Sequence, residues 1–88
     1  MYKVKKRDGS SSEFDLSKIK LAMIKAFDAS NVHYHKDVID AMALKVTADF
    51  EPKIKDGYVT VEDIQDSVEV VLIQAGYVNV AKNYILYR

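Results

Sequence analysis

Apolar residues recur at steps of three and four in separate windows of this chain, and that spacing predicts helices before anything else is known. Leu16, Ile19, Met23, Ala26 and Phe27 make the first stripe, and Ile39, Met42, Ala43, Val46 and Phe50 the second. Ile64, Val68, Val71 and Leu72 make the third. Positions three and four apart return to one helix face, so each window predicts a helix with a single buried side. The first runs from an N-cap at Asp15, with Ser17 as the competing cap, to about Ala29. The second spans about Lys36 to Phe50 and is stopped by the lone proline, Pro52. The third, about Val61 to Ala75, starts at Thr60 with Glu62 and Asp63 complementing the helix dipole, and Gly76 ends it. A fourth begins near Asn79, with Val80, Tyr84, Ile85 and Tyr87 turned inward, and reaches Arg88 with no glycine or proline to stop it. That open end is what a piece of a longer chain would show.

Ahead of the helices the period changes to two. "YKVKK" alternates Tyr2 and Val4 with Lys3 and Lys5, the pattern of a half-buried strand. Asp8-Gly9 supplies a turn, and "SSEF" returns as a second strand with Phe14 pointing inward. A second Asp-Gly pair, Asp56-Gly57, precedes Tyr58-Val59, a β-prone run able to lie beside the hairpin. The expected fold is therefore α+β: a four-helix bundle capped by a small antiparallel sheet of two or three strands. Eighty-eight residues provide one modest core, so residues 1–88 are read as one domain.

The chain contains no cysteine, which excludes disulfides, thiolate zinc sites and thiol chemistry and suits a reducing cytoplasm. No apolar run approaches the roughly 20 residues needed to cross a bilayer, so no membrane partner is expected and the default location is cytoplasmic. His33 and His35 have only Asp37 and Asp40 nearby and are read as solvated loop residues, because zinc needs three or four convergent ligands. Glu62, Asp63, Asp66 and Glu69 are accounted for by dipole and solvent, and no serine, histidine and acid form a triad. Neither GxxxxGK[ST] nor GxGxxG occurs. No metal site and no catalytic residue is assigned.

Formal charges cancel over the whole chain but not along it. Residues 1–25 hold seven Lys or Arg against three acids, a net +4 that the remaining residues balance. A local surplus in a neutral domain favours a small anion at one end over the wrapping of a nucleic acid. Alternation puts Lys6 on the Val4 side, toward the bundle, and turns Lys5 and Arg7 away. Lys18 falls in the first turn of the first helix, where the dipole disfavours a cation but free amides would welcome phosphate. The residue pattern leaves two readings open, a solvated basic hairpin and a phosphate site.

Taken together, "VKKRDGSSSEFDLSKI" near the start and "VTVEDIQDSVEVVLIQAGYVNVAKNYILYR" at the end resemble the ATP cone, the nucleotide-binding regulatory domain of ribonucleotide reductases. The last part is most similar to the anaerobic, class III ribonucleoside-triphosphate reductases. The resemblance implies reversible binding of ATP or dATP, with Mg2+, as an activity switch acting on an attached catalytic domain, in some cases through a nucleotide-controlled homo-oligomer. It implies no catalysis by the cone itself. Carried onto this chain, it places Val4 at the base or ribose, Lys6 and Arg7 on phosphates, and Asp15, Lys18 and Ile19 around the pocket. Glu13 lies near a family position that approaches the nucleotide. Val61 stands where some members carry a hydroxyl, so that contact would come from Thr60 or the backbone. The alternatives are the cone of a reductase-gene transcriptional regulator, which binds nucleic acid, and an oligomerisation module that binds no nucleotide; the missing cysteines exclude a complete zinc-ribbon repressor.

Overall fold

A computed structural model describes residues 2–88. Along the chain run β1 (Lys3–Lys5), β2 (Ser11–Glu13), α1 (Leu16–Ala29), α2 (Lys36–Phe50), β3 (Tyr58–Thr60), α3 (Val61–Gln74) and α4 (Val78–Tyr87). A single 3₁₀ turn, Glu51–Lys53, holds Pro52 and ends α2. The class is α+β as expected, with the sheet in the order β2-β1-β3 over one end of the helices.

The expectation of a wholly antiparallel sheet is corrected. β1 and β2 pair antiparallel, with Val4 opposite Ser12, but β3 lies parallel to β1, with Val4 opposite Val59. The reason is the connection: α1 and α2 intervene between β2 and β3, and a long crossover of this kind is what joins parallel strands. Because paired residues share a face, Val4, Ser12 and Val59 point toward the helices, whereas Lys3, Lys5 and Tyr58 point away. On that outer face the Lys5 ammonium lies 5.6 Å from the centre of the Tyr58 ring.

The two Asp-Gly pairs make different turns. In the β1–β2 loop Gly9 N–H donates to the Lys6 carbonyl at 3.0 Å, and only Gly9 has positive φ (+87°). This is a type I turn followed by a glycine bulge; Lys6 still bonds Ser10 across the hairpin, and the chain leaves strand alternation at Arg7. Asp56 (φ +53°) and Gly57 (φ +80°) are both left-handed, and Lys55 and Tyr58 exchange two backbone bonds around them. That is a two-residue type I′ turn.

Side-chain caps start α1 and α3 as expected. Asp15 Oδ1 accepts from Ser17 N–H at 3.0 Å and from the Ser17 hydroxyl at 2.6 Å, so Asp15 is the cap and Ser17 serves it. Thr60 Oγ1 accepts from Asp63 N–H at 3.1 Å. Ile19, Met23, Ala26 and Phe27 of α1 meet Ile39, Met42, Ala43, Val46 and Phe50 of α2 and Ile64, Val68, Val71 and Leu72 of α3 in one core. Val80, Ala81 and Tyr84 add the buried side of α4. Ile85 and Tyr87, expected to face inward, are 46% and 79% exposed. Ile85 is rotated off the Val80–Tyr84 stripe, and Tyr87 sits on the last turn at the open end of a groove beside α1.

Two aromatic clusters fasten the ends. Tyr2 and Phe14 from the hairpin close on Phe50 with ring centres 4.8–5.9 Å apart. At the opposite end Phe27 packs against Tyr34 and Tyr77 at 5.5 and 4.9 Å.

One buried polar atom has no partner among the described residues. Ser67 on α3 is fully buried, and its hydroxyl is without a hydrogen bond. An unmet buried donor carries a desolvation penalty that alanine removes. We expect Ser67→Ala to raise unfolding stability by about 1 kcal/mol, read as a higher denaturant midpoint at unchanged slope.

Candidate functional site

Between the inner face of the hairpin and the helix ends is a hollow of about 230 Å³. Its floor is apolar, made by Val4, Ile19, Ile64 and Val68, with Tyr84 behind. Lys6 and Lys18 stand at its edge, exposed at their outer sides. The local causes are those of the fold: β1 ends at Lys5, the bulged loop carries Lys6 over the opening, and the Asp15 cap fixes the first turn that bears Lys18. Ala22, Lys18, Gln65 and Tyr84 are shared with a larger groove of about 680 Å³ between α1 and α4. Small-molecule sites usually occupy about 300–1,000 Å³, so hollow and groove together have the room for a ligand that the hollow alone lacks.

Of the residues carried over from the resemblance, Val4, Lys6, Glu13, Asp15, Lys18 and Ile19 border this hollow. Glu13 does so at the rim only, since it pairs with Lys3 across the ladder and its side chain belongs to the outer face. Ser12, opposite Val4, is the inward residue of β2. Arg7 does not point away from the bundle, as strand alternation implied. It folds onto α3, where Nε donates to Glu62 Oε1 and one terminal nitrogen donates to Gln65 Oε1, each at 3.0 Å. Lys6 keeps to the Val4 side, as alternation implied, and borders the hollow with it, but it is exposed there, with no burial to offset.

Two of the amides at the start of α1 are already engaged. Asp15 takes Ser17 N–H through its side chain and Lys18 N–H through its carbonyl. The anion-holding capacity of this corner therefore resides mainly in lysine and arginine side chains. Thr60 is likewise committed to its cap, and Val61 borders the hollow in its place.

Ile64, Gln65 and Tyr84 also line the site; residue-by-residue reading missed Ile64 and Gln65, and weighed Tyr84 as core against a ring that stacks on a base. Ile64 and Tyr84 looked like core, which they also are. Gln65 Oε1 accepts from both Arg7 and Arg88, the latter through Nε at 3.1 Å. Arg88 also donates to Asp66 at 3.1 Å and to Glu69, a grip that raises its guanidinium above the ordinary range chiefly through the Glu69 bond. Burial pushes the Tyr84 phenol up to about 12, partly opposed by the Arg88 charge.

The Asp15 carboxyl is held below its ordinary value by the Ser17 hydroxyl and amide bonds. A carboxyl that is a stronger acid when folded contributes stability above its unfolded pKa, and that contribution fades as pH falls through the depressed value. The stability difference between the parent and Asp15→Ala should accordingly be full near neutrality and shrink in acid below about pH 4. Paired denaturant titrations across that range check this.

The ATP cone domain family matches residues 2–88, and the chain belongs to it. It is similar to the ribonucleoside-diphosphate reductase subunit alpha of Chlamydia pneumoniae, 38% identical over 94% of this chain and 8% of the relative. It is also similar to vitamin B12-dependent ribonucleoside-diphosphate reductases of Mycobacterium tuberculosis, 38% identical over 98% of this chain and 12% of the relative. The corresponding Thermoplasma acidophilum protein is 39% identical over 97% of this chain and 11% of the relative. The chain thus spans about a tenth of the length of these relatives. All three are diphosphate reductases by name, which does not reproduce the narrower likeness to anaerobic triphosphate reductases.

Proposed function

We propose that this ATP cone is an allosteric module that binds ATP or dATP and switches the activity of an attached ribonucleotide reductase. The observation that carries this reading is the pairing, in one hollow, of an apolar floor with Lys6 and Lys18 at the mouth and Arg7 alongside. A flat apolar group joined to a polyanion is what that pairing suits. Val4, Ile19 and Ile64 would take the base or sugar, and Lys6, Lys18 and Arg7 the phosphates, Arg7 with the planar fork that fits phosphate oxygens. Among the described residues no three acidic or histidine side chains gather to hold a metal. A magnesium ion would arrive on the phosphates. No helix among the described residues is long and apolar enough to cross a membrane, and cytoplasmic residence is part of the proposal. The diphosphate reductases among its relatives favour that chemistry for the attached catalytic part over the anaerobic triphosphate class. Chemical-shift mapping tests the site. Added ATP should move backbone signals of residues 4–7, 12–19 and 61–65 and leave those around His33 and His35 unmoved; a response confined to other residues would refute it.

A second reading rests on α4, whose Ile85, Leu86 and Tyr87 are exposed. That end of the helix suits contact with the catalytic part or with a second copy. If nucleotide controls the contact, solution mass should differ between ATP and dATP; if the cone is only an oligomerisation module, mass should follow concentration alone.

A further inference from the structure

The cation best shaped for a phosphate is already engaged by an acid of the same chain. Arg7 Nε binds Glu62 Oε1 at 3.0 Å, and the two side chains are 59% and 46% exposed. Gln65 completes the hold at 3.0 Å, and Gln65 itself lines the hollow. We infer that nucleotide binding is an exchange at Arg7, in which ligand phosphate displaces Glu62, so that Glu62 sets the affinity of the site. This rests on the nucleotide reading above and adds to it the residue against which the ligand competes.

Magnitudes favour the exchange. Exposed ion pairs are weak, and water and salt reach this one from both sides. Hydrogen bonds from guanidinium to phosphate are charge-assisted and often bidentate. A phosphate entering at Lys6 and Lys18 therefore offers Arg7 the stronger partner, and the Glu62 carboxylate returns to solvent at the first turn of α3, where the helix dipole still favours it. Arg88, which docks on the same helix from the end of α4, provides the contrast. It is only 19% exposed and is gripped by Gln65, Asp66 and Glu69 together, so it is not free to exchange. Once Arg7 leaves, Gln65 Oε1 serves Arg88 alone.

Calorimetric titration of the 88-residue chain with ATP and with inorganic tripolyphosphate tests the inference in wild type, Glu62→Gln and Asp66→Asn. Glu62→Gln should bind both probes more tightly, by up to about fivefold at low salt, whereas Asp66→Asn, which removes an equal charge that does not touch Arg7, should bind as wild type does. Unchanged affinity in Glu62→Gln overturns the exchange while leaving the nucleotide site in place. Equal tightening in both variants also overturns it, because the effect would then belong to the overall field. Tripolyphosphate binding that tightens in Glu62→Gln without any binding of ATP would uphold the exchange and refute the adenine reading. Binding of neither probe by any variant overturns both.

Discussion

Phe50→Ala should lower unfolding stability by about 3–5 kcal/mol, the usual range for deleting a fully buried aromatic ring. Phe50 is 0% exposed at the end of α2, and Tyr2 and Phe14 close on it from the hairpin. Its loss opens a void under the sheet and removes two edge-on ring contacts as well as the buried area. Domains of this size have only about 0.05–0.15 kcal/mol of net stability per residue, so the change takes a large part of the total. The melting temperature should drop by on the order of 20 °C. Because the same ring seats the strand that leads to Lys6, any surviving folded fraction should also show weakened backbone protection through residues 2–14. A drop under 1 kcal/mol would mean that the hairpin is not anchored through Phe50.

Lys6→Ala and Lys18→Ala should each weaken ATP binding by about tenfold to a hundredfold, from the loss of one charge-assisted bond of roughly 1.5–3 kcal/mol. Both side chains are exposed, so stability should respond little, within about 0.5 kcal/mol. For Lys18→Ala the two properties should move in opposite directions. A cation in the first turn opposes the helix dipole, and alanine is the better helix former, so α1 gains a few tenths of a kcal/mol while the ligand is lost. Titration calorimetry with thermal melts on the same samples checks both. A variant that loses binding and stability together would assign Lys18 to the framework and not to the ligand.

The helices were legible because each carries its own apolar stripe, and the second and third also carry a stop, Pro52 and Gly76. Asn31, at φ +54°, shows the same logic at the end of α1, where Val32 N–H reaches back to the Phe27 carbonyl. The parallel course of β3 was not legible, since strand direction depends on how two intervening helices return the chain and not on Tyr58-Val59-Thr60 themselves. The two Asp-Gly pairs could not be told apart as dipeptides. One closes a three-residue bulged loop and the other a two-residue loop, and the difference lies in how many residues the flanking strands pair. That difference decided Arg7. Alternation ended at Lys6, and a side chain assigned to solvent, Arg7, came to rest on Glu62 and Gln65, residues 55 and 58 positions away. Ser12 was obscured by the run of three serines, because a one-residue change of register exchanges the faces of Ser12 and Glu13. Gln65 had no signal of its own, being one of several polar residues on α3, and its value appears only when two arginines converge on it.

The most direct measurement is calorimetric titration of the folded chain with ATP, dATP, GTP and CTP in the presence of magnesium, repeated on a Lys6→Ala/Arg7→Ala variant. Saturable binding of ATP and dATP, weaker binding of GTP and CTP, and loss of binding in the variant are the predicted results. A folded chain that binds none of the four, or a variant that binds ATP as the parent does, would contradict the assignment of this hollow as an adenine-nucleotide switch.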